Sequence, residues 1–238
     1  MLRRTFRLRP WQRWGLYWLG AAVSWPMRAL SRYPRPVRHQ KLYVRTSDLV
    51  RAGRLVQPPP KVKGIRDYLG KVVTPGGWDL RSVEREMTWK KETLLGLVAG
   101  LGPERSGYLD RMEALIARKG SNHGCTDSAA ALRRARELES MIEQIRRDRR
   151  LKERSELDPW AFRERGGIKV HIGRDGTVYR WSNEHRSVFA EALGIEAVPV
   201  AVTAIHPEAL RNGSFGRLLR ESEKLRAATL RDTDRPRR

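Results

Sequence analysis

Between Ile168 and Pro207 four elements follow one another with almost no intervening chain, and their order leaves few folds open. Ile168, Val170 and Ile172 alternate with Lys169 and His171, the two-residue period of a half-buried strand. Gly173-Arg174-Asp175-Gly176 then reads as a hairpin turn, with Asp-Gly supplying the left-handed backbone. Residues 177–181 are a second β-rich run. Ser182 and Asn183 are N-cap residue types, so a helix is expected over residues 184–193, with Gly194 just past its end. Residues 198–205 are apolar almost without a break, as a strand buried on both faces should be. His171 falls on the polar side of its strand and is expected to face outward. His206, at the end of the last strand, is placed to face the turn at residues 182–186.

Chemistry is expected at that turn. A helix start exposes unpaired backbone N–H groups and the positive end of the helix dipole, so it favours anions. Ser182 and Asn183 lie at the start itself, and Arg186 offers a forked donor for a phosphate. Glu184 suits a general base or a metal ligand, and His185 suits a group that orients or shuttles a proton. The other reading is that Glu184 and Arg186 only cap and charge the helix.

Residues 168–207 resemble the core of the ParB/sulfiredoxin-like nucleotide-binding fold. There a β-hairpin runs into a G-x-H-R or G-E-R-R turn that opens a helix, followed by a short loop and a buried strand. His185-Arg186 match the H-R pair, and Glu184 matches the Glu of the G-E-R-R box, where ParB proteins bind a nucleoside triphosphate. Asn183 stands where the family has Gly, and Asn is the next most tolerant residue for a left-handed backbone. Ser182 stands where many relatives have Asp, and Glu184 replaces sulfiredoxin's catalytic Cys, so sulfinic-acid reduction is not expected. Upstream, residues 40–50 look like the fold's opening strand followed by a turn or short helix. Gly76-Gly77-Trp78-Asp79 and Gly124-Cys125-Thr126-Asp127 resemble loops of relatives that carry this domain. The resemblance spans residues 42–205 and is most specific in the last of these.

This resemblance implies an α+β fold: a small mixed sheet of the ParB/sulfiredoxin type with a helical insertion. It implies nucleotide triphosphate and Mg²⁺ as cofactors, Glu184 and His185 as catalytic residues, and Ser182, Asn183 and Arg186 as the binding set. The expected domain plan has a basic Trp-rich segment (1–36) and a basic Pro-rich linker with the first strand (37–66). The ParB/sulfiredoxin-like domain (67–210) follows, with its insertion at 80–155 and its hairpin, helix and strand at 166–206. A basic C-terminal helix and tail (211–238) close the chain.

Charge adds a second constraint. Lys and Arg number 49 against 27 Asp and Glu, a net +22, and residues 1–66 hold sixteen of the basic residues against one acid, Asp48. The partner of that segment is therefore expected to be anionic: a membrane surface, nucleic acid or another polymer. Trp11, Trp14, Trp18, Ala22 and Trp25 recur at helical spacing among Arg residues, while the uncharged run from Trp14 to Met27 is short for a bilayer span. A Trp-rich N-terminal helix lying flat on an anionic leaflet fits this pattern, which places the chain in the cytoplasm at the inner face of the membrane. A helix packed on the domain, a signal peptide and a twin-arginine signal at Arg3-Arg4 remain open alternatives.

Pro58-Pro59-Pro60 marks a stiff spacer. Helices are expected over 79–98, with Leu80, Val83, Met87 and Leu94 on one face, over 108–119, and over 128–153 behind a Thr126 or Asp127 cap. A short basic helix is expected over 215–230, and residues 232–238 are expected to be disordered.

The sequence holds no P-loop, no H-E-x-x-H and no G-x-S-x-G, and its five His residues show no metal-ligand spacing, so no metal centre built by the protein is expected. The single Cys125 excludes an internal disulfide. Two functions follow from the resemblance. One is a membrane-associated phosphotransferase or nucleotide hydrolase. The other is a non-catalytic ParB-like module that binds nucleic acid or a protein. ParB proteins proper carry a helix-turn-helix domain after this core, whereas residues 207–238 are all that follow His206, so a chromosome-partition role is not expected.

Overall fold

The computed structural model describes residues 40–51, 53–59, 72–83, 88–157, 167–182 and 184–233. The Trp-rich segment 1–36, most of the Pro-rich spacer, Asn183 and residues 234–238 lie outside the described residues.

The described chain opens with β1 (Lys41–Arg45) and α1 (Thr46–Arg51). β2 (Arg54–Leu55) and β3 (Ser82–Val83) pair as a small antiparallel ribbon. The insertion is helical: α2 (Trp89–Val98), α3 (Gly102–Arg105), α4 (Tyr108–Lys119), α5 (Ser128–Asp148) and α6 (Arg154–Leu157). Then come β4 (Ile168–Ile172), β5 (Val178–Ser182), α7 (Glu184–Ala192), β6 (Ala197–Ile205), α8 (Pro207–Arg211) and α9 (Ser214–Thr233).

The architecture is mixed α+β, with one four-stranded mixed sheet in the order β1-β6-β4-β5. β6 runs antiparallel to β1 and parallel to β4, and β4 and β5 form the antiparallel hairpin. The parallel pair requires a crossover, and α7 supplies it. β6 is buried at every position, which is why its residues do not alternate between apolar and polar. On one face of the sheet Val170, Val200 and Val202 pack with Phe189 of α7 and Leu138 and Ile142 of α5, all nearly or fully inaccessible. Burying Phe189 alone stabilises the fold by about 1.5–3 kcal/mol. The reverse face carries two smaller clusters. Tyr43 and Ala197 pack with Leu225 of α9, and Leu55 packs with Trp78 and Tyr179.

Polar groups tie the insertion and the C-terminal helix to β1. The Glu153 carboxylate accepts from Lys41 Nζ at 2.5 Å, Tyr43 Oη at 3.0 Å and Arg226 Nε at 3.0 Å. Burial pushes the Glu153 carboxyl up, but hydrogen bonds from Lys41 and Arg226 outweigh it and hold the group below the usual range. The Tyr43 N–H donates to Ser222 Oγ of α9 at 2.7 Å.

Several expectations need correcting. The helix expected over 79–98 begins only at Trp89. Thr88 caps it, its Oγ1 accepting from the Lys91 N–H, and Leu80 and Val83 are exposed rather than part of an apolar stripe. Upstream, Asp79 is drawn out of any helix by Arg174, whose backbone N–H and guanidinium both donate to its carboxylate. The long helix capped by Asp127 stops at Asp148, where Arg149 takes a left-handed backbone (φ 50°). The C-terminal helix extends to Thr233, past the start of the tail expected to be disordered. His171 is buried rather than outward, because Thr203 on the neighbouring strand gives it a partner.

Candidate functional site

The hairpin turn forms as expected: Gly173 N–H donates to Thr177 O at 2.9 Å, and Gly176 takes the left-handed conformation (φ 93°). β5 then ends at Ser182, and α7 starts at Glu184. The α7 start is surrounded by side chains from three other places in the fold. Lys90 of α2 reaches Glu184 Oε2 at 3.2 Å. Arg180 of β5, its side chain 8% exposed, approaches Glu184 Oε1 at 3.7 Å and donates to Ser187 Oγ. Ser187 Oγ donates in turn to the Glu184 carbonyl at 2.9 Å. His123 sets its ring perpendicular to that of His185, with centroids 5.5 Å apart.

His123 arrives through a tight turn. Asn122 and Cys125 exchange both backbone hydrogen bonds at 2.9 Å, and the two residues between them have positive φ, 50° at His123 and 83° at Gly124. That is the geometry of a type I′ turn, in which Gly is favoured at the second position.

The field at this point is positive. Burial pushes the His185 imidazole down to about 4, and the charges of Lys90, His123 and Arg134 push the same way while Glu184 opposes them. His123 is also lowered, by desolvation first and then by Lys90, Arg134 and Lys119. Both rings are therefore neutral near pH 7 and can each donate one hydrogen bond and accept another.

Not all of the expected set meets here. Glu184 and His185 lie together at the helix start, and Ser182 lies one residue before the junction. Arg186 faces away, since residues two apart on a helix differ by about 200°. Its guanidinium is buried and donates to the carbonyl of Lys152, at the end of the insertion, where it borders a cavity of about 230 Å³ that also touches Asp148 and Arg150. Asn183 lies outside the described residues. Lys90, His123, Arg134 and Lys119 went unread in the sequence because they come from the insertion. Arg180 had no helical signal either, because it lies in β5 while Glu184 opens α7.

A second polar cluster serves the fold. Asp79, its side chain 1% exposed, accepts from the Arg174 N–H at 2.6 Å and from the Arg174 guanidinium. His206 does not face the α7 start. Its Nδ1 accepts from Glu208 N–H at 3.2 Å, so Nε2 carries the proton and donates to Gly76 O at 2.9 Å. Thr203 donates to Val170 O at 2.8 Å and so accepts from His171 Nδ1 at 3.0 Å. Trp78 lies 5.9 Å from both imidazoles. These bonds fasten the Gly76–Asp79 loop to the hairpin.

Among the described residues no three His, Cys, Asp or Glu side chains gather into a metal-binding group, and no helix is long and apolar enough to cross a membrane. No family model, no curated protein and no solved structure matches the chain.

Proposed function

We propose that this is a ParB/sulfiredoxin-like protein that binds a phosphate-bearing ligand, a nucleoside triphosphate with its Mg²⁺, at the start of α7. The observation that carries this reading is the convergence of Lys90 and Arg180, from separate elements, on a helix N-terminus whose own dipole favours anions. Burial depresses the imidazoles of His123 and His185 first, and the charges of Lys90 and Arg134 add to it. The hairpin, helix and parallel strand follow one another in the order the family resemblance requires. Backbone donors in the first turn of α7 take the phosphate, and Lys90 and Arg180 neutralise it. Arg186 serves the binding set indirectly, by anchoring α7 to the insertion through Lys152. In the enzymatic form of the reading, a phosphotransferase or hydrolase, Glu184 acts as base and neutral His185 orients the acceptor.

An anion bound at the α7 start, beside the two imidazoles, must raise both of their pKa values. Adding ATP with Mg²⁺ to the full chain is therefore expected to raise the melting temperature and to move the titrations of His123 and His185, followed by NMR, toward higher pH. Lys90→Ala should remove most of both effects while leaving the fold intact. The reading fails if neither ATP nor inorganic triphosphate shifts either signal in the wild type. Turnover lost in Glu184→Gln but with binding retained would assign the enzymatic form.

Placement at a membrane face belongs to the same proposal and rests on the Trp and Arg pattern of residues 1–36. The full chain is expected to float with anionic vesicles and to be released by salt, and a chain lacking residues 1–36 is expected to stay behind. Equal flotation of both forms would remove the segment from this role.

A further inference from the structure

We infer that the surface over helix α9 is a docking site for an acidic amphipathic helix of a partner protein. Two grooves flank α9. The larger, about 760 Å³, lies between α9, the end of α5 and the loop entering β6, with Leu193, Ile195, Leu225 and Ala228 along it and Arg146 and Arg149 at its rim. The smaller, about 450 Å³, is bordered by Arg45, Arg217, Arg220 and Lys224. Leu225 and Ala228 line both, so the two grooves adjoin at α9, with apolar side chains on their floor and cations on each bank.

Several of those cations are already engaged. Arg45 pairs with Glu221 at 3.2 Å, Arg146 donates to the Val98 carbonyl at 2.9 Å, and Arg217 donates to Ser214 Oγ at 2.8 Å. Arg149, Arg220 and Lys224 are exposed and have no ion-pair or hydrogen-bond partner among the described residues. An apolar strip between unpaired cations is the complement of a helix with one apolar face and acidic flanks.

Other occupants fit less well. A nucleic-acid strand uses aromatic platforms or a track of one sign, whereas no aromatic ring lines either groove and Glu196 and Glu221 interrupt the charge. Residues 1–36 hold no acid and carry the wrong sign, and a second copy brings a net charge of +22 against the same surface.

The probe is a synthetic peptide with leucine at i, i+3, i+4 and i+7 and glutamate at most other positions, compared by fluorescence anisotropy with a scrambled peptide of the same composition. At physiological salt the full chain is expected to bind the amphipathic peptide about tenfold or more tightly than the scrambled one. Ala228→Glu, which puts a charge where the two grooves adjoin, should cost about tenfold in affinity. Arg220→Glu with Lys224→Glu should do the same, and the control pair Arg111→Glu with Arg118→Glu on α4 should not. All these positions are exposed, and circular dichroism checks each fold. Equal affinity for the two peptides, or no effect of Ala228→Glu, overturns the proposal. So does a single-stranded oligonucleotide that binds more tightly than the peptide and loses affinity in the same variants.

Discussion

Replacing Glu153 with alanine is expected to lower the unfolding free energy by about 3 kcal/mol, because one buried carboxylate accepts from Lys41, Tyr43 and Arg226, and more weakly from Ser155. The loss is unequal among them. Lys41 and Arg226 have side chains 30% and 48% exposed and can turn to water, whereas the Tyr43 hydroxyl is buried and keeps no acceptor. Glu153→Gln preserves an acceptor for that hydroxyl and should cost about half as much. Adding Tyr43→Phe to Glu153→Ala should restore part of the loss, since no buried hydroxyl is then stranded. Urea unfolding of the wild type, the three single variants and the double variant reads this directly, and additive losses from Tyr43→Phe and Glu153→Ala would show that the two groups do not depend on each other. The Glu153 carboxyl also titrates below its ordinary range, so its contribution is complete above the unfolded pKa and is lost as pH falls through the folded one.

The second large effect is a loss of stability in mild acid centred on His185. In the unfolded chain this imidazole takes up a proton near pH 6.5, whereas in the folded protein it does so only near pH 4. Between those values the unfolded state binds more protons, so stability falls as pH drops, by about 3 kcal/mol across the window, and levels off below it. His123 acts in the same direction. His185→Gln should flatten the dependence between pH 6.5 and 4 in urea titrations. If its slope matches that of the wild type, the acid sensitivity belongs to other groups. A bound phosphate would raise the folded pKa of His185 and shrink the effect, so the same titration with ligand present links stability to the proposed site.

The parts of this fold that were legible in the sequence were those coded by neighbours. The β4–β5 hairpin, α7 and β6 follow from alternation, an Asp-Gly turn, N-cap residues and an apolar run, all within residues 168–205. Glu184 and His185 came with them, being adjacent in the chain. What stayed hidden depends on distant contacts. Lys90 and His123 reach α7 only because α2 and the α4–α5 turn fold back over it. Arg186 read as a phosphate ligand from its type and position, but helix geometry and the Lys152 carbonyl turn it into the protein. Asp79 looked like part of a helix because Leu80, Val83, Met87 and Leu94 share a helical period, and a pattern of that kind does not show that Arg174 competes for the carboxylate. His171 was misplaced for a related reason: a polar residue in an alternating strand suggests solvent until a hydroxyl on the next strand is known to meet it.

The hydrogen bond from Tyr43 to Ser222 has a consequence for the open edge of the sheet. β1 is the last strand on its side of the sheet, and α9 lies along it where a further strand would otherwise add. A helix that lifts away, or is clipped, leaves the outward amides and carbonyls of β1 open to the β1 of another copy. Self-association of such a chain would then proceed by backbone pairing, strand to strand, despite the repulsion between two strongly cationic molecules. The C-terminal helix thus covers the edge where a further strand would add, and the Ser222 hydroxyl accepts the strand's N–H without offering a template of its own.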